Sequence, residues 1–82
     1  MNEQRISLSA LPPGEMGAVR QLAGGRGFMS RLAALGFTLG AEVIMMQNFG
    51  HGPLIVLVRD TRVALGRGEA AKVLVGRMTD GQ

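Results

Sequence analysis

Glycine punctuates this chain so often that long regular elements are excluded. Thirteen of the 82 residues are glycine, and the longest aliphatic runs are only Val43-Ile44-Met45-Met46 and Leu54-Ile55-Val56-Leu57-Val58. Glycine reaches positive φ without steric cost, so a density of about 16%, against a usual ~7%, implies short elements joined by sharp corners. With only three prolines and no Ser/Gly tract, the pattern is not that of a flexible linker. Runs this short are also far below the ~20 residues a spanning helix requires. The first residues, Met1-Asn2-Glu3-Gln4-Arg5, lead into no apolar stretch of signal-peptide length. The expected setting is the cytoplasm, without membrane insertion.

The pattern between the glycines reads as alternating strands with one early helix. Ile6-Ser7-Leu8 alternates as a short first strand, and Pro12-Pro13-Gly14-Glu15 places proline and glycine as a type II turn demands. Gly17 to Leu22 alternates around Val19 and Leu22 and runs into the Gly24-Gly25-Arg26-Gly27 loop. From Phe28 the period lengthens: Phe28, Leu32 and Leu35, with Met29 beside them, fall on one helical face. Gly36 follows where a left-handed C-terminal residue belongs, and Phe37 stands where a contact back to Leu32 would form. Glu42 to Phe49 reads as a strand, and Asn48-Phe49-Gly50-His51-Gly52-Pro53 as loop chemistry. Leu54 to Arg59 and Arg62 to Leu65 are the next strands, joined by an Asp60-Thr61 turn that lacks the expected glycine. Glu69-Ala70-Ala71-Lys72 suggests one helical turn, and Val73-Leu74-Val75 closes as a last strand. Thr79 to Gln82 should fray.

Parallel strands need crossovers of a dozen or more residues, which these connections rarely approach. A small, strongly bent antiparallel barrel of five to six strands with one or two short inserted helices is the economical solution, since closure removes unpaired edges. A chain of 82 residues holds one such domain, with residues 6–77 as its core, and a domain this small buries only ~60–65% of its unfolded surface.

Little reactive chemistry is available. The chain has no cysteine, which excludes disulfides, thiolate metal sites and thiol nucleophiles. Gly66-Arg67-Gly68-Glu69-Ala70-Ala71 fits G-x-G-x-x-A, but a dinucleotide site needs a βαβ unit of ~30 residues and an acidic residue ~20 positions on, and only 21 residues run from Arg62 to Gln82. That motif reads as a strand-to-helix corner. His51 is the one histidine; with no nearby acid or second ligand in its loop it reads as an exposed loop residue. Met45 and Met46 are adjacent and so face opposite sides of a strand, which suits core filling better than joint chelation of a soft metal. The carboxylates Glu3, Glu15, Glu42, Asp60, Glu69 and Asp80 are dispersed, with no poised pair. No catalytic residue, metal ligand or cofactor is expected.

Nine Lys and Arg against six Asp and Glu give a net charge of +3, and the basic residues never form a run. That balance suits solubility or a mildly acidic partner. Small barrels also bind nucleic acid by stacking bases on aromatics along a cationic groove. Here the aromatics are three phenylalanines, and Phe28 and Phe37 have core duties, so no nucleic acid is expected. An interaction module remains.

The order of features is similar to the FeoA family. The resemblance rests on Leu8-Ser9-Ala10-Leu11-Pro12-Pro13-Gly14-Glu15 and on Arg31-Leu32-Ala33-Ala34-Leu35-Gly36-Phe37-Thr38-Leu39-Gly40-Ala41-Glu42-Val43. It extends through Gly52-Pro53-Leu54-Ile55-Val56 and Val63-Ala64-Leu65-Gly66 to Glu69-Ala70-Ala71-Lys72-Val73-Leu74-Val75, about Ile6 to Arg77 in all. The departures are the missing glycine at the Asp60-Thr61 turn and the Met-rich strand. The resemblance implies a mainly β, SH3-like barrel and a cytosolic accessory protein of bacterial ferrous iron uptake. Its implied partner is the FeoB GTPase-transporter, which would hold it at the inner face of the plasma membrane. Related domains end the DtxR-type iron-dependent repressors, so a stand-alone relative of those is the alternative, beside a nucleic-acid-binding barrel. Iron belongs to the pathway here, and no ligand set for it is evident. The residues expected to meet a partner are Arg26, Met29, Arg31, Phe49, His51 and Pro53, the apolar and cationic groups least needed by the sheet. Such a surface would equally serve a homo-oligomer.

Overall fold

The computed structural model describes residues 2–79. Its elements in chain order are β1 (Asn2–Ser7), a 3₁₀ turn (Leu8–Ala10), β2 (Met16–Leu22), α1 (Arg26–Ala34), β3 (Glu42–Gln47), β4 (Leu54–Val58), β5 (Thr61–Leu65), α2 (Arg67–Ala70) and β6 (Val73–Thr79). All these strands join one antiparallel sheet in the order β1-β6-β2-β3-β4-β5. The mainly β architecture with inserted helices agrees with the alternation in the sequence. Among the described residues no ladder joins β5 back to β1, so those two strands form the ends of the sheet.

Alternation puts one side of every strand into a common core. Val19, Val43, Met45, Leu54, Val56, Val58, Leu65, Val73 and Val75 are buried there, and Leu8, Leu11, Leu32 and Phe37 fill the space from the 3₁₀ turn and α1. Each such side chain contributes ~1.5–3 kcal/mol on burial, which is how the domain holds without a crosslink. A bulge between Met45 and Gln47 sets Met46 outside the pairing. Met45 is therefore fully buried while Met46 is 41% exposed, and the two sulfurs serve different sides.

The turns show what the glycines are for. Gly14 has φ +85°, and the Glu15 amide donates to the Pro12 carbonyl at 3.1 Å, which closes the type II turn. At the end of α1 the Gly36 amide donates to Ala33 O at 3.0 Å and the Phe37 amide to Leu32 O at 2.9 Å. With Gly36 at φ +106°, this is a Schellman ending, and Phe37 and Leu32 are both buried beside it.

Several local readings need correction. The first strand is longer and earlier than Ile6-Ser7-Leu8, because Leu8 turns inward into a 3₁₀ turn, where the Ser7 hydroxyl accepts the Ser9 amide at 3.1 Å. The hairpin turn is Arg59-Asp60, not Asp60-Thr61: Val58 pairs with Thr61. Both turn residues take positive φ, 51° and 61°, the geometry of a type I′ turn reached without glycine. On α1 only Leu32 is buried; Leu35 and Met29 are exposed and Phe28 is half-buried. The short helix lies over the sheet by one stripe rather than a broad face. Finally, Thr79 does not fray but pairs with Asn2 in the β1–β6 ladder, while the expected fraying of Asp80 to Gln82 lies outside the described residues.

Candidate partner-binding face

Helix α1, helix α2 and the 48–53 loop are fastened to one another by a few polar contacts. Gly24 and Gly25 lead into α1, and a Cβ at Gly24 would overlap the Phe28 ring, which folds back over that glycine. Two cations lie over the ring: Lys72 Nζ is 5.5 Å and Arg31 Cζ 6.0 Å from its centroid. Arg31 also forms an ion pair with Glu69 of α2. The Arg31 guanidinium, and then the Gly66 amide donating to Glu69 Oε1 at 3.2 Å, hold the Glu69 carboxyl below the usual carboxylate range.

The loop is fixed from beneath by a single amide. Asn48 Nδ2 donates to Ser9 O and to Leu11 O, both at 3.0 Å, and its Oδ1 accepts the Gly50 amide at 3.0 Å and Arg67 Nη2 at 2.9 Å. Those four bonds saturate the side chain and fix which way it points. Arg67 adds bonds to Gly52 O and Ser9 O, each 3.1 Å long. Gly50 and Gly52 take positive φ, 84° and 73°, bending the backbone so sharply that Phe49 is turned outward, 70% exposed. His51 and Pro53 are exposed beside it. An apolar side chain is thus presented on a loop that is anchored rather than loose.

Of the six residues expected to meet a partner, the structure brings four to one region and leaves two apart. Phe49, His51 and Pro53 share the loop and Arg31 reaches the same region through Glu69; Met29, 44% exposed, is two residues from Arg31 and points ~160° away from it around the α1 axis. Arg26 is not with Arg31: five residues apart on a helix, the two point ~140° away from each other around the axis. Arg31 is moreover neutralised by Glu69, so it meets an acidic partner only by exchanging that carboxylate. Sequence reasoning missed Asn48 and Arg67, whose work is to hold the loop; the one available signal was a polar, branched amide ahead of two glycines.

A second concavity, of about 690 Å³, lies on the outer face of β1, β6 and β2. Gly17, Ala18 and Gly76 floor it, and Met16 and Met78, 53% and 59% exposed, flank it. Across it Arg20 grips the Glu3 carboxylate with contacts of 2.7, 3.0 and 3.1 Å. A Cβ at Gly76 would collide with that carboxylate. Among the described residues no three His, Asp or Glu side chains are grouped to hold a metal ion, and no helix is long and apolar enough to cross a membrane.

A family model described as the FeoA domain matches residues 6–77. A curated protein of Methanocaldococcus jannaschii, named as an Fe(2+) transport protein A, is 34% identical over 62 residues, 76% of this chain and 74% of that one. The crystal structure of an iron uptake regulatory protein, FeoA, superposes with a TM-score of 0.87 at 32% identity, covering 92% of this chain and 100% of its own. Stenotrophomonas maltophilia FeoA complexed with zinc, described as a prokaryotic SH3 domain protein, gives 0.72 at 37% identity over 85% of this chain and 88% of that one.

Proposed function

This chain belongs to the FeoA family, and from that premise we propose that it is a cytosolic accessory protein of ferrous iron uptake that binds the cytosolic part of the FeoB GTPase-transporter through the α1, α2 and 48–53 loop face. The observation that carries the choice of face is Phe49, an aromatic ring 70% exposed on a loop held rigid by Asn48 and Arg67. Pre-organisation of this kind removes the ordering entropy a flexible loop would lose on binding, and aromatic anchors of this sort dominate interface energetics. Iron is the cargo of the partner, and the role read for this chain is binding rather than turnover.

Nucleic-acid binding finds little support in the arrangement. Phe37 is buried and the Phe28 ring is occupied by two cations, which leaves Phe49 as the one ring open to a base.

The test is affinity for the transporter's cytosolic domain. Phe49→Ala weakens binding by ~30-fold, the loss expected of an interface anchor, while its melting temperature stays at the wild-type value because the ring covers little of the core. Met78→Glu, on the outer concavity, leaves binding unchanged. Wild-type binding by Phe49→Ala with loss in Met78→Glu moves the interface to the other face.

A further inference from the structure

Helix α1 has little of its own to keep it folded. Its nine residues are fewer than the ~12–15 at which an isolated helix is even marginal in water. Its start lacks a side-chain cap and has no acidic residue in the first turn, and Arg26 sets a cation at the positive end of the helix dipole. Gly27, one position on, is a poor helix former. The helix therefore depends on what it touches, and it packs broadly on no other element. Leu32 is buried, Phe28 is half-buried, and the remaining residues of α1 are exposed. Lys72 over the Phe28 ring and the Arg31–Glu69 pair tie it to the chain around α2, and exposed contacts of this kind add little.

The chain on either side of α1 is held by the sheet without its help. Before the helix, Leu22 pairs with Val73 and the Ala23 amide donates to Lys72 O at 2.7 Å. After it, Phe37 is buried, the Gly40 amide donates to Val19 O at 2.7 Å, and the Val19 amide donates to Ala41 O at 2.9 Å. Melting of α1 would thus leave a loop between two fixed points, with the ladders of β2, β3 and β6 intact. Segments with few buried apolar contacts and exposed backbone hydrogen bonds open at a free energy well below that of global unfolding. The 48–53 loop is the opposite case, since the Asn48 amide and Arg67 fasten it to Ser9 and Leu11.

We propose that α1 melts and refolds as a separate unit on an intact sheet, so that the docking face has a fixed half, the 48–53 loop, and an adjustable half that a partner has to order. The role of that face rests on the reading given above; the melting of α1 does not, and it is measured on the free chain, so the two stand or fall separately. Amide hydrogen exchange followed by NMR and corrected for intrinsic rates finds the α1 amides from Met29 to Leu35 at least about 100-fold less protected than the slowest amides of β2 and β6. Urea well below the unfolding midpoint speeds the sheet amides and barely moves those of α1, because this opening exposes little surface. Val75 is fully buried, and Val75→Ala speeds exchange in β6 at least about tenfold. The same variant leaves α1 exchange unchanged, since Val75 stays packed when α1 opens. Equal protection in α1 and the sheet overturns the proposal. So does α1 exchange that accelerates in step with the sheet, in urea or in Val75→Ala, because α1 then opens only with the whole domain.

Discussion

Replacing Asn48 by alanine removes four hydrogen bonds at once, to Ser9 O, Leu11 O, the Gly50 amide and Arg67. A typical intramolecular hydrogen bond contributes ~0.5–1.5 kcal/mol net, and the bond from Arg67 belongs at the upper end because its donor is charged. The site is part-buried, so water takes up some of the orphaned groups, and the expected loss is ~2–3 kcal/mol rather than the full sum. In a domain of this size that lowers the melting temperature by ~8–20 °C. Urea unfolding measures the free energy and calorimetry the midpoint. Asn48→Asp separates the two halves of the network: it keeps both acceptor contacts and strengthens the one to Arg67, but turns a carboxylate toward two carbonyls, so it falls between alanine and wild type. The cycle Asn48→Ala with Arg67→Ala shows a coupling of about 1 kcal/mol, as residues sharing one network should. Asn48→Ala within ~0.5 kcal/mol of wild type, the range of an ordinary surface substitution, refutes the assignment of the loop's rigidity to this amide.

Other consequences are equally direct. Asp60 holds φ 61° in the hairpin turn, so Asp60→Gly relieves a left-handed L-residue and, after the extra unfolded-state entropy of glycine, stabilises by ~0.5 kcal/mol in urea unfolding. Glu3, chiefly through its hydrogen bonds from Arg20, and Glu69, chiefly through Arg31, both have carboxyl pKa values lowered from 4.5. Depressed folded-state values mean that their contribution is present above the unfolded value and is lost as pH falls through the folded one. Thermal melts therefore decline below about pH 4.5, and Glu3→Gln flattens that decline. Gly76→Ala displaces the Glu3 carboxylate, so NMR titration finds the Glu3 carboxyl moved back up toward its ordinary value.

The fold was largely legible because its signals are local. The Pro12–Glu15 turn, the Gly36 helix ending and the period-two strands β3 and β4 are each decided by neighbouring residues. What escaped detection was decided at a distance. Leu35 belongs to the helical pattern that starts at Phe28, yet it is exposed, because the nine-residue helix packs on the core through Leu32, with Phe28 partly buried beside it. The Arg59-Asp60 turn was displaced by one residue because pairing of Val58 with Thr61 outweighs the preference for glycine. At the candidate face, exposed Phe49 was predictable from its glycine-rich frame. The partners of Asn48 and Arg67 were not, since they lie on segments up to 58 residues away in the chain. Arg31 and Glu69 likewise meet only after folding.

Asn2 and Thr79 stand side by side at one end of the β1–β6 ladder. At the other end Ser7 lies against α2, where its hydroxyl donates to Ala70 O. The five intervening steps of β1 span ~17 Å at the usual strand rise, so both described ends of the polypeptide emerge at the pole away from α2. A fluorescent label, affinity tag or chip tether fused to either end is thereby kept clear of the helices, and a short peptide loop could join the two ends while a new opening is cut elsewhere.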